Sequence, residues 1–469
     1  MLSAMTQSLS LRLNWWTTWS NQESNRRVMG ALLTVGGCTV LGKLVAFVKD
    51  AVVAYQFGTG DALDAFLIAL VVPQFTVTLL GSSLNAALIP TYIRVKEQQG
   101  AEAAQQVLSS VMVLTVSFLI AGCLILALSA PWIMPILAGG YAPEKLDLAR
   151  ALYVVLLSTV LLGGIGTIWA AVLNAGNRFA WAAAVPIVTS MLTIVMVLSL
   201  GEFWSGYALA TAAIGGAFLE TLLLGWQLKR TGVSLTPHWY GITPAVKQVL
   251  GQYWPMVAAA FLMGSTHLVS QAMAAMLDPG SVAALSYGNK ITTVLIGVGA
   301  TAVSTAFLPH FSWMVVGEDW HGIKHTLMLY SGLLMLVSIP VCILLMHYSE
   351  QLVALLFQRG AFTEADTRLV GNVQAVSLLQ LAPYLIGILY VRFITAIRCT
   401  HVMVWGNVLN LVVCVSLNYV LMKHLGVVGI ALATSAMYFV SCGFLIAVSW
   451  FLLRKHLRPS ISSGLTTVH

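Results

Sequence analysis

Residues 42–58, GKLVAFVKDAVVAYQFG, place Lys43, Lys49 and Asp50 inside a run that is otherwise apolar enough to cross a membrane. Whether those charges are tolerated depends on the solvent of the whole chain. Of its 469 residues, 59% are hydrophobic and 8% charged, against roughly 25% charged in an average soluble domain. The bulk of this chain is built for a bilayer. A spanning helix takes about 20 mostly apolar residues, and the charged, Gly-rich and Pro-rich punctuation leaves about twelve such stretches. They run over 28–57, 62–89, 105–129, 148–173, 179–200, 204–228, 245–276, 280–308, 322–346, 367–397, 400–422 and 426–452.

The first 25 residues hold no apolar core followed by a small-residue cleavage site, so the first span is expected to act as its own insertion signal. Trp15, Trp16 and Trp19 in LRLNWWTTW suit a stretch lying at the membrane interface, and a disordered tail suits the composition equally. Loop charges set the orientation. With the N-terminus in the cytoplasm, that side collects about 14 Lys and Arg, among them Arg26, Arg27, Arg94, Lys96, Arg178, Lys229, Arg230, Arg398 and Arg454. The other side collects about five: Lys145, Arg150, Arg359, Arg368 and Lys423. Both termini are therefore expected in the cytoplasm. The net charge of +7 reflects this bias and not nucleic-acid binding.

The chain reads as duplicated. At an offset of 220, Gly140 and Glu144 of GGYAPEKLDLA fall on Gly360 and Glu364 of RGAFTEADTRL, and Arg178 falls on Arg398; at 219, Pro90 falls on Pro309, each expected to end the second span of its half. Six spans per half is an even number, so both halves enter from the same side. This predicts a parallel repeat about an axis along the membrane normal. The expected architecture is all-α and polytopic, with two six-helix lobes around a central cavity. It divides into a cytoplasmic segment 1–27, an N-lobe 28–230, a linker 231–244, a C-lobe 245–453 and a cytoplasmic tail 454–469.

Such a cavity gives the opening charges a place to go. Lys43 lies about 15 residues, or roughly 22 Å, into the first span, too deep to snorkel easily. A Lys or Asp at a helix centre costs about 2.5–3.5 kcal/mol, so it faces a partner, the bundle interior or water. Lys43 and Asp50 are seven apart and share a face, whereas Lys49 is expected to point away, toward the outer interface. Lys290, about ten residues into the eighth span, brings a basic group from the second half. Deep charges are then Lys43, Lys49 and Lys290 against Asp50 and Asp64, the last near the outer start of the second span. The slight positive excess favours an anion, and phosphate-bearing substrates fit ammonium groups. Glu220, His267, Gln271 and Gln380 are expected to hydrogen-bond between helices. The six cysteines show no CxxC or Cys/His spacing and read as packing residues, so no metal or cofactor is expected.

Four stretches, GKLVAFVKDAVVAYQFG with DALDAFLIALVVP, AAVLNAGNRFAWAAAVP, GSVAALSYGNKITTVLIGVGATAVSTAFLPH and LLFQRGAFTEADT, resemble the MviN/MurJ family of lipid II flippases. The likeness covers about residues 28 to 450. It implies a fold shared with multidrug and oligosaccharidyl-lipid exporters, a bacterial inner-membrane location, and a polyprenyl-pyrophosphate-linked sugar moved outward by alternating access among membrane lipids. It also implies substrate-binding roles for Lys43, Lys49 and Lys290, where the family usually has arginine, and gating or ion-pair roles for Asp50 and Asp64. Two features depart from the family. Val77 and Thr78 stand where an arginine pair is usual, and twelve spans replace fourteen. A flippase for an exopolysaccharide or O-antigen repeat unit is the alternative; a multidrug cation antiporter is more distant, since it would favour a carboxylate-rich cavity. No HExxH, GxSxG or nucleotide loop is present, so enzymatic chemistry is not expected.

Overall fold

The computed structural model describes residues 23–176 and 178–457. The expectation for Trp15, Trp16 and Trp19, and most of the 454–469 tail, lie outside the described residues. Within them every regular element is helical: α1 (Glu23–Phe57), α2 (Asp61–Leu128), α3 (Ala130–Leu137), α4 (Pro143–Ala175), α5 (Phe179–Ala184), α6 (Pro186–Trp204), α7 (Gly206–Arg230), α8 (Pro244–Ala274), α9 (Ser281–Val316), α10 (Trp320–His347), α11 (Ser349–Phe357), α12 (Glu364–Leu378), α13 (Leu381–Ala396) and α14 (His401–Leu457).

Two of these helices are too long to be single spans. Straight, the 68 residues of α2 would reach about 100 Å, over three times the hydrocarbon thickness. Gly100 breaks the helix at φ 90°, ψ 175°, and the two arms fold together: Leu84, Leu88 and Tyr92 share a core with Val107, Leu108 and Met112. In α14 the break is Gly426, φ 56°, ψ −137°, and Val402 then packs in one core with Leu445 and Leu453. Nine helical stretches among the described residues are long and apolar enough to cross a membrane. The two folded ones count double, and α1, which carries the three charges of the opening run, brings the spans to twelve.

The prolines do not end their helices as expected. Pro90 lies inside α2, which continues to Gly100, and Pro309 lies inside α9, which continues to Val316. A proline in a membrane helix forfeits one hydrogen bond, which neighbouring helices can offset. Here the continuation is well packed, with Thr91, Tyr92 and Val95 buried after Pro90 and Phe311 fully buried after Pro309.

Elements that hydropathy does not mark are consistent with the expected repeat. The short α3 and α11 begin 219 residues apart, at Ala130 and Ser349. The tight turn before α7, Ser205 at φ 47°, ψ −126°, matches the Gly426 turn 221 residues later. The loops at Gly140 and Gly360 also reciprocate. Gly140 abuts the backbone of Ala275 and Met276 just beyond α8, while Gly360 abuts Tyr55 near the end of α1. Each loop packs on the first long helix of the other half, the pattern a twofold-related duplication produces.

One helix bridges the halves. Val246 and Val249 of α8 sit in a core with α2 and α7 residues, and Phe261 meets Phe75 edge-on at 5.6 Å. Toward its other end, Ser270 of α8 accepts a hydrogen bond from Asn418 Nδ2 of α14 at 3.2 Å.

Candidate functional site

The charges of the opening run meet the second half at Asp50. Its carboxylate pairs with Lys49 Nζ at 3.1 Å and with Lys290 Nζ of α9 at 2.8 Å, so α1 and α9 are tied together across the interface. Lys43 does not pair with Asp50. Seven residues of helix separate the two by about 10 Å of rise, more than the short aspartate can close. Lys49 does not point away. Neighbouring positions on a helix diverge, but the four-carbon lysine stem is flexible enough to bring the ammonium back onto Asp50. Lys43 instead borders the larger cavity and makes no ion pair among the described residues.

Two cavities meet at this triad. The larger, of about 740 Å³, lies between the halves and is lined by Lys43, Lys49, Asp50 and Lys290 with a hydrogen-bonding wall from Gln271, Asn289, Gln380 and Tyr438. The smaller, of about 540 Å³, is walled mainly by helices of the first half and shares Lys49, Asp50, Gln74 and Lys290 with the larger. Two ammonium groups to one carboxylate leave the triad one positive charge in excess, and Lys43 adds a second to the larger cavity. Removal of the triad's shared anion would leave two cations facing each other with no carboxylate between them.

Asp64 stands at one end of the interface. It is 1% exposed and accepts hydrogen bonds from the backbone N–H of Gly280 at 2.7 Å and of Ala283 at 2.8 Å. The N-terminus of α9 has Gly280 as its N-cap residue and no side-chain cap of its own, so the first half caps it in trans, with its carboxylate against the positive helix end. Lys145 Nζ completes the shell, 3.0 Å from Asp64 and 2.6 Å from Asp61. The Tyr141 phenol donates to the Asp64 carbonyl at 3.3 Å. Burial, then the carboxylates of Asp64 and Asp61, push that phenol well above its ordinary value, so it remains a donor.

The same end carries further cross-half contacts. Ala361 N–H donates to Tyr55 O at 2.8 Å, and the Thr59 hydroxyl bonds to Asp366, which also accepts from Thr363 N–H at 2.7 Å in a capping box. Gly280, at φ +88°, could not take a side chain: its Cβ would lie 2.8 Å from Thr59 O. Away from this latch the interface opens. In α1, Val40 and Leu44 are 61% and 60% exposed and Ala54 is fully buried; in α9, Val282 is fully buried and Val298 is 69% exposed. Helices α1 and α9 are zipped at one end and splayed at the other, where α8 still joins the halves through Val246 and Val249.

Of the residues singled out from sequence, Lys43, Lys49, Asp50 and Lys290 gather at the larger cavity, while Asp64 is apart at the latch. Gln271 and Gln380 line the cavity, and Gln271 Oε1 is buried without a hydrogen-bond partner. Sequence reading missed Lys145, Thr59, Gly280 and Asp366. The Asp278-Pro279-Gly280 turn marks a helix start, but no local signal names its cap. At the departures from the family pattern, Val77 packs against Gly163, with 3.1 Å from its side chain to a Cβ placed there, and Thr78 bonds to Gln74 O. The six cysteines are unpaired, and among the described residues no group of three or more His, Cys, Asp or Glu converges on a metal position.

An all-helical membrane protein with a basic cleft latched at one end is the class this fold and site define. Its fold matches the inward-facing form of a multidrug resistance MATE family transporter with TM-score 0.74 at 13% identity, covering 92% of this chain and 99% of that one. It matches a lipid II flippase MurJ in an inward closed conformation with TM-score 0.76 at 21% identity, covering 90% of this chain and 91% of that one. The family model for lipid II flippase MurJ matches residues 53–468, and the chain belongs to that family. Similar relatives include a probable lipid II flippase MurJ of Synechocystis, 25% identical over 92% of this chain and 83% of the relative. Another, from Thermotoga maritima, is 26% identical over 87% and 82%, and the lipid II flippase MurJ of Burkholderia cenocepacia is 25% identical over 74% and 69%.

Proposed function

We propose that this chain moves lipid II, an undecaprenyl-pyrophosphate-linked sugar, across the bacterial inner membrane by alternating access, with no covalent chemistry of its own. The observation that carries the reading is the charge of the larger cavity. Asp50 leaves the Lys49 and Lys290 pair one positive charge in excess, and Lys43 raises this to two. A pyrophosphate diester brings about two negative charges, and ammonium groups bind phosphate as point charges. A cationic drug would find the wrong sign.

The headgroup enters at the splayed end and displaces the lysines from Asp50, while the Gln271, Gln380 and Tyr438 wall meets the sugar. The lipid tail stays in the bilayer. The latch at Asp64, Thr59 and Gly280 then parts as the halves rock. Loop charges support the splayed end as the cytoplasmic one, with both termini on that side.

Complementation tests this directly. In cells depleted of their own lipid II flippase, the chain should sustain growth, and Lys43→Gln and Lys290→Gln should each lose that rescue while remaining in the membrane fraction. Rescue by both variants at wild-type level would contradict the basic site. Failure of the unmodified chain to rescue, with loss of a surface polysaccharide on deletion in its own host, would move the substrate to another glycan on the same carrier.

A further inference from the structure

The smaller cavity differs in kind from the larger. Its wall carries seven Ser and Thr hydroxyls, and five of them give their proton to a backbone carbonyl: Thr159 to Leu156 O, Thr167 to Gly164 O, Ser190 to Pro186 O, Thr193 to Thr189 O and Thr221 to Leu162 O and Ala217 O. A hydroxyl has one donor and two acceptor lone pairs. With their donors committed, these side chains have only acceptor capacity left for the cavity.

Into the same space projects Glu220 of α7. It makes no ion pair among the described residues, and the hydrogen bond it accepts comes from the Thr189 hydroxyl at 3.2 Å. An ionised carboxylate within a membrane span costs about 2.5–3.5 kcal/mol and is expected to have a partner. Those five hydroxyls offer it none. It does suit a protonated carboxyl, which gains an O–H donor, or a small cation held between the carboxylate and the hydroxyl oxygens.

We propose that this cavity is a monovalent-cation site, centred on Glu220 and distinct from the anion site between the halves, that holds an exchangeable proton or Na⁺. The titratable groups sharing the cavity are Lys49, Asp50, Tyr287 and Lys290. The helices packed on α7 otherwise contribute hydroxyls and Gln74 there. Charged groups of α4 sit in its first turns, at Glu144, Lys145, Asp147 and Arg150, and Glu202 sits in the last turn of α6; Asp61 and Asp64 of α2 belong to the latch and Arg94 and Lys96 lie beyond Pro90. Because the triad lines both cavities, a cation at Glu220 acts on the electrostatics of the anion site through a common wall.

The test is a binding measurement on purified full-length protein in lipid nanodiscs, so it reads separately from any failure of the lipid II assignment. Infrared difference spectra between acid and alkaline pH should contain a protonated-carboxyl C=O band that Glu220→Gln removes. Thr189→Val, which deletes the donor favouring the ionised form, should move the band's midpoint up by about one pH unit. At fixed pH near the midpoint, suppression of the band by Na⁺ but not by choline identifies Na⁺ as the occupant, and an unchanged band identifies the proton. The site is overturned if Glu220→Gln leaves both the acid–alkaline difference and the Na⁺ response as in wild type. Should that variant fail to fold, an unmoved midpoint in Thr189→Val overturns it instead.

Discussion

The two ends of the interface between the halves are held by different kinds of bond. At the latch the contacts are short and directional: a buried aspartate on two backbone N–H groups, one backbone N–H on Tyr55 O, and glycines where backbones touch. At the triad the contacts are two long lysines on one carboxylate in a wall that water can reach, with side-chain exposures of 29%, 35% and 14% for Lys49, Lys290 and Asp50. A backbone cap has one geometry and is either made or broken. A lysine pair can exchange its anion and keep its charge satisfied. The first suits a gate, the second a place where a ligand phosphate competes with Asp50.

Variants that break this contrast rank by the bonds they remove. Asp64→Ala deletes two charge-assisted bonds to backbone and should cost the latched form about 3 kcal/mol, roughly a hundredfold in its population. Distances between spin labels at the exposed positions Glu144 and Arg359 should lengthen and broaden; an unchanged distribution would mean that Asp64 does not hold the latch. Asp50→Asn should leave that distribution near wild type, because its site lies away from the latch. Its effect belongs to transport, which should slow by about tenfold as the freed lysines hold the headgroup longer, after allowing for solvent access to the pair. If Asp50→Asn opens the latch as Asp64→Ala does, the two ends are not separate devices.

Val77→Arg places a family-type charge beside the smaller cavity. The contact with Gly163 must then give, and overpacking of this kind costs about 1–3 kcal/mol. Thermal unfolding in detergent should fall and transport should not improve; a rise in both would show that the arginine was missing and not excluded. The smallest effect is expected from Tyr141→Phe, which removes one long hydrogen bond, about 0.5–1 kcal/mol. Its label distances should stay within error of wild type, and opening comparable to Asp64→Ala would assign the latch to Tyr141.

These two regions were not equally legible in the sequence. The triad's charges were visible because charge is rare in an apolar helix, so Lys43, Lys49, Asp50 and Lys290 stood out without any partner being known. Their pairing was not visible: helical geometry fixes where a Cβ points, and a lysine stem then reaches around it, which is how Lys49 came to Asp50. The latch was nearly silent. Asp64 and Gly280 are 216 residues apart and Thr59 and Asp366 are 307 apart, and a cap supplied in trans leaves no local motif at the helix it caps. Lys145 read as an outer loop lysine, and its partner is a buried carboxylate 81 residues away. Span number followed from composition, but the turn at Ser129 and the short helices α3 and α11 did not, because hydropathy measures length and not a break inside an apolar run.

The central claim is that the latch must part for the headgroup to cross. Thr59 and Asp366 touch across it, so Thr59→Cys with Asp366→Cys allows the two halves to be joined by oxidation and released by reduction. Lipid II flipping in vesicles reconstituted with this protein is the measurement. The account predicts that the reduced form flips, that the oxidised form, verified as cross-linked, stops, and that reduction restores the rate. Flipping by the cross-linked form at the rate of the reduced form would contradict it.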